Sequence, residues 1–77
     1  MKAGDIIRVV KAPPGLRDDD DLRTKTLFEL CVGRTFAIVE IESGLLQLDV
    51  GEVVGEPSYM QSIWIEPEFV ELVERSK

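Results

Sequence analysis

The sequence predicts a mostly β protein: five short strands, with one short helix set into the first long loop. Three observations carry this. Val, Ile, Leu and aromatic residues come in short runs bounded by Gly and Pro. The stretch TFAIVEIESGLLQLDV, residues 35–50, is two alternating segments around a short glycine turn, which is the pattern of a hairpin. The stretch TLFELCVG, residues 26–33, carries helix signals at both ends.

The first strand is DIIRVVK, rich in β-branched residues, with Ile7 and Val9 on one face and Ile6, Arg8 and Val10 on the other. APPG stops it, because Pro13 and Pro14 lack a backbone donor and Gly15 allows a turn. In LRDDDDLR four adjacent aspartates, Asp18 to Asp21, repel one another, so this run reads as a solvated loop. Thr26 and Glu29 then have capping-box spacing for a helix over 26–32, and Gly33 suits the left-handed residue that ends one. Leu27, Leu30 and Cys31 fall on one side of it. A helix of about two turns is not stable alone in water, so it must dock on the sheet or across the end of a barrel.

In the hairpin, Ala37, Val39 and Ile41 share one face of the first strand, while Phe36, Ile38 and Glu40 share the other. In its second strand Leu46, Leu48 and Val50 face the core, and Gln47 and Asp49 face water. GEVVGEPSYM, with two glycines and a proline, reads as a long loop. QSIWIE resumes the alternation: Ile63 and Ile65 claim the inner face, which turns Trp64 outward with Ser62 and Glu66. Pro67 then admits two readings. It suits the first position of a helix, with Phe69, Leu72 and Val73 at helical spacing; it equally suits a single turn, PEF, before a last strand from Val70 to Val73.

The segments GDIIRVV and IWIEPEFVELV resemble the first strand and the terminal strand–turn–strand segment of SH3-like barrels. In that family an isoleucine-proline turn with an aromatic leads into a closing strand that returns beside the first. The resemblance therefore implies the turn-plus-strand reading of Pro67, with residues 1–77 as one five-stranded SH3-like barrel. The competing fold is an α+β sheet with a terminal helix. Many SH3-like domains bind proline-rich peptides in an aromatic groove. Here residues 11–34 hold one aromatic, Phe28, so such a groove cannot be assembled.

Composition narrows the function. The 77 residues are 44% hydrophobic and 31% charged, a globular rather than a disordered balance. Cys31 is the only cysteine, so no intrachain disulfide or multi-cysteine zinc site can form, and a reducing, cytoplasmic compartment is expected. The start MKAGDIIRVV has too short an apolar run for a signal peptide, and no stretch approaches a bilayer span. Residues 1–34 hold seven basic and six acidic residues; residues 35–77 hold two basic and nine acidic, giving a net charge of −6. Such a surface repels nucleic acid and anionic lipid and suits a basic protein partner; it also serves simply to keep a small domain soluble.

Catalytic signals are missing. There is no histidine, no phosphate-cradling glycine motif, and no serine in a triad-like context. The acidic residues sit mostly on alternating wet faces or beside turns. No enzymatic activity and no cofactor is expected. Contiguous Asp18–Asp21 lack the alternate spacing of a calcium loop, and arginines flank them.

The expected function is that of a non-catalytic protein-interaction module, a small accessory or regulatory subunit docking on a larger basic partner, itself a monomer or weak homodimer. Trp64, Tyr59 and Phe36 are its expected anchors, with Ile38 beside Phe36 on an outer apolar patch, and Glu66, Glu68 and Glu71 its steering charges. If the short helix or the 51–60 loop covers that face, Trp64 is ordinary core instead. Two other classes compete: an acidic nucleic-acid mimic acting as a decoy, and a small-ligand or metal binder using Asp18 to Asp21.

Overall fold

The fold is an antiparallel sheet of five strands in the order β4-β3-β2-β1-β5, with one short helix, as seen in a computed structural model that describes residues 1–18 and 23–76. The strands are β1 (Ile6–Val9), β2 (Thr35–Glu42), β3 (Leu45–Asp49), β4 (Ser62–Ile65) and β5 (Val70–Glu74); the helix is α1 (Thr24–Cys31). Strands β1, β2 and β3 each pair with the next in sequence, and β5 returns to pair with β1. The sheet is open: β4 and β5 are its two edges. No helix among the described residues is long and apolar enough to cross a membrane.

Alternation sets most of the core. Ile7 and Val9 of β1, Leu46 and Leu48 of β3, Ile63 and Ile65 of β4 and Val70 of β5 are buried, and α1 adds Phe28 and Cys31. The hairpin turn is Ser43–Gly44, both at positive φ (51° and 80°), which matches the right-handed twist of the strands it joins. At Pro67 the chain makes a single 3-10 turn, Pro67–Phe69, and continues as β5 rather than as a helix. The Phe69 carbonyl accepts from the Val10 and Lys11 amides, which seats that turn on the end of β1.

The structure corrects the sequence reading at three places. In β2, Ile38 is buried and Glu40 is exposed, although simple alternation puts the two on one face. The cause is a bulge. Ile38 pairs with Leu48 and the next pair is Glu40 with Gln47, so Val39 is left over. Directly opposite residues share a face, so Phe36, opposite buried Ile7, and Ile38, opposite buried Leu48, lie on the core side.

The second correction concerns α1, which starts two residues before the expected boundary. Thr26 lies inside it and is not its cap. Asp18 does the capping from the preceding loop: its carboxylate accepts from the Thr26 N–H at 3.0 Å and from the Thr26 hydroxyl at 2.5 Å. Gly33 does take the left-handed conformation, and its N–H donates to the Val9 carbonyl at 2.7 Å, docking the helix end on β1. The buried residues of α1 are Phe28 and Cys31, while Leu30 is exposed.

Third, the loop over residues 51–60 is more ordered than its composition suggests. It forms two 3-10 turns, Gly51–Val54 and Ser58–Met60.

Candidate functional site

β4 positions the most informative side chain. Ile63 and Ile65 are buried in the core, which leaves Trp64 on the opposite face, 38% exposed. Trp64 lies opposite Gln47, and Gln47 opposite Glu40, so these three form a row across the outer face of β4, β3 and β2. Asp49, opposite Ser62, lies beside that row on the same face. Tyr59, in the 3-10 turn just before β4, is 75% exposed.

A groove of about 750 Å³ runs between β4 and α1. One wall is four consecutive residues, Gln61 to Trp64. The other is α1, through Thr24, Leu27 and Leu30. Buried Phe28 and Ile63 are at its base, and Val54 and Glu56 reach it from the 51–60 segment. Arg23 is the single basic residue along it among the described residues. Neither the helix nor the 51–60 segment buries the indole; they stand across the groove from it.

The other expected site residues are dispersed. Ile38 is 2% exposed and belongs to the core, so it cannot be part of an outer patch. Phe36 is half-buried against the core and faces a separate cleft of about 320 Å³ with Arg8, Arg34 and Val53. The bulge in β2 is the reason for both corrections: neither residue shares the Trp64 face. Glu71 lies on β5, the opposite edge of the sheet from β4, and its carboxylate already pairs with its cross-strand neighbour Arg8 at 2.6 Å. Glu66 and Glu68 flank Pro67 right after β4; Glu68 is exposed and Glu66 half-buried. Sequence reasoning missed Leu27, Leu30 and Val54 as groove residues. The signal for them was the Leu27–Leu30 spacing on α1, a second apolar stripe beside the Phe28–Cys31 stripe that enters the core.

The remaining polar features are structural. Asp5 is 2% exposed, and its carboxylate accepts from the Ser76 N–H at 2.7 Å and the Lys2 N–H at 3.0 Å. Those amides, Ser76 first, hold its carboxyl below the usual carboxylate range. Asp18 is shifted the same way by the Thr26 hydroxyl, then by the Thr26 N–H. Cys31 is fully buried, and burial pushes its thiol up to about 11 against the opposing charge of Arg34. That is the setting of an inert core thiol, not of a nucleophile. Among the described residues no three His, Cys, Asp or Glu side chains meet as a metal site. The metal reading of Asp18 to Asp21 falls on Asp19, Asp20 and Asp21, which lie outside the described residues.

No protein-family model, curated protein or solved structure matches this chain.

Proposed function

We propose that this protein is a non-catalytic protein-interaction module of SH3-like architecture, a small accessory or regulatory subunit that docks on a larger partner with a basic surface. The SH3-like reading is supported by the strand order, in which a four-strand meander is followed by a 3-10 turn and a last strand returning beside the first. Relative to that family, the first loop carries α1, and the peptide-binding aromatics are replaced by a groove with an aliphatic wall.

One observation carries the function: Trp64 stands exposed on the lip of an apolar groove, on a face that also bears Glu40 and Asp49. An aromatic with a polar, acidic rim is the usual form of a protein contact site. The indole can take a cationic side chain on its ring face, and the carboxylates raise the local concentration of basic partners. Tyr59 and Met60, exposed in the preceding turn, extend the surface. A nucleic-acid mimic would instead need an unbroken stripe of carboxylates; Trp64, Leu30 and Val54 interrupt one here.

The test is association with the partner recovered from the native complex, measured across ionic strength. Glu66→Lys with Glu68→Lys is expected to weaken binding and flatten its salt dependence. Trp64→Ala is expected to weaken binding with the salt slope retained. Affinity that ignores both changes overturns the reading.

A further inference from the structure

The groove wall formed by β4 is a strand edge, not a strand face. Four consecutive residues, Gln61 to Trp64, line it, although alternate residues of a strand point to opposite faces. β4 ends the sheet, and only β3 pairs with it among the described residues. The direction of its free backbone groups follows from the ladder. The Val50 N–H donates to the Gln61 carbonyl at 2.8 Å, so in this register the hydrogen-bonded pairs are Val50–Gln61, Leu48–Ile63 and Leu46–Ile65. Ser62 and Trp64 occupy the alternating positions, and their N–H and C=O groups point away from β3, into the groove. Natural edges are usually blunted by Pro, Lys or inward charge; SIWI carries none of these. The other edge, β5, carries Glu71 and Glu74.

Resting on the interaction-module reading above, we infer that the partner presents an extended basic segment that adds to the free edge of β4 as a further strand. The two faces of such a strand meet different surroundings. On the core side its side chains reach Leu27, Leu30 and Val54, which select apolar residues. On the outer side they lie with Trp64, Asp49 and Glu66, which select Lys or Arg. Backbone pairing supplies affinity, and the alternating basic and apolar side chains supply register and specificity. A second copy of this chain is disfavoured as occupant, because edge-to-edge pairing of two β4 strands brings the same carboxylates together on a chain of net charge −6.

The probe is an end-capped octapeptide of alternating Lys and Val, added to 15N-labelled protein. Its two analogues are N-methylated at all lysines or at all valines, and a helical Lys-rich peptide of equal charge serves as comparison. The expected result is slowed amide exchange at Ser62 and Trp64, with one methylated analogue binding roughly tenfold or more weakly and the other unimpaired, since only one phase of the strand donates to β4. Ser62→Pro removes one outward donor at an edge position that tolerates proline, and is expected to weaken binding with the sheet intact. If that variant fails to fold, the paired analogues still decide. Equal binding of both analogues and the parent overturns strand addition while leaving the interaction reading in place. No binding of any basic peptide, extended or helical, overturns both. Slow exchange at Ser62 and Trp64 that grows with protein concentration alone assigns the edge to a second copy and overturns the inference.

Discussion

The Ser76 N–H donates to Oδ1 of Asp5 at 2.7 Å, tying the segment after β5 to the residue just before β1. The same carboxylate takes the Lys2 N–H through its other oxygen, and the Asp5 carbonyl accepts from the Ile38 N–H at 2.9 Å. One residue thus holds three stretches of chain. Both carboxylate bonds favour the ionised form, which lowers its pKa. A carboxyl depressed by folding contributes stability that is complete above its unfolded value, near pH 4, and is lost as pH falls through the folded value. Acid unfolding is therefore expected to take up a proton at Asp5. In Asp5→Asn, followed by circular dichroism against pH, the acid limb should be shallower and stability at pH 7 lower, because the amide has one acceptor oxygen where two are used.

Ile38 and Val39 are neighbours with opposite fates, and mutation should separate them. Ile38 packs in the core opposite Leu48, while Val39 is the unpaired residue of the bulge. Ile38→Ala is expected to cost about 2–5 kcal/mol, the range for deleting buried aliphatic volume. Val39→Ala is expected to change stability by less than about 0.5 kcal/mol, as surface substitutions do. Urea midpoints of the two variants test this. A larger loss for Val39→Ala would restore the unbroken alternation that the sequence suggests.

That pair also shows which parts of the fold are legible without coordinates. In β3 and β4 a period of two decides the inner face locally, so Leu48 and Ile63 are assigned correctly and the orientation of Trp64 follows from its two neighbours. In β2 both faces are apolar, and only simultaneous pairing with β1 and β3 fixes where the extra residue goes. The helix cap is illegible for a related reason, since Asp18 bonds Thr26 from eight positions earlier in the chain and leaves no local spacing to read. Of the candidate site, Trp64 and Tyr59 are legible as exposed aromatics. The groove beside Trp64 is not, because Leu30 and Val54 are apolar residues that look like core until the helix is docked.

Gly51 marks a close approach that the loop depends on. A Cβ at this buried position would lie 2.0 Å from the Pro57 carbonyl oxygen, which belongs to backbone and cannot swing aside. The Gly51 carbonyl also accepts from the Glu56 N–H at 3.0 Å, so the two 3-10 turns fold against each other at this point. Gly51→Ala is expected to destabilise by about 1–3 kcal/mol or more, as overpacking does. It should also shift the Val54 and Glu56 amide resonances, because both residues line the groove. Unchanged spectra over residues 51–60 would mean that the turns pack less closely than this.

Cys31 supplies a test of core integrity. Its thiol is fully enclosed and titrates at about 11, well above the ordinary value of 9.0, chiefly through burial. Burial favours the neutral thiol, so its contribution to stability is whole below pH 9 and is lost as pH rises toward 11, where the unfolded chain carries a thiolate. At neutral pH a disulfide reagent should modify Cys31 only when the helix lifts or the chain unfolds, and added urea should accelerate the reaction in step with loss of structure. Cys31→Ala should abolish the reaction and flatten stability between pH 9 and 11. Rapid labelling of the folded protein at pH 7, independent of urea, would show that α1 does not seal this end of the core.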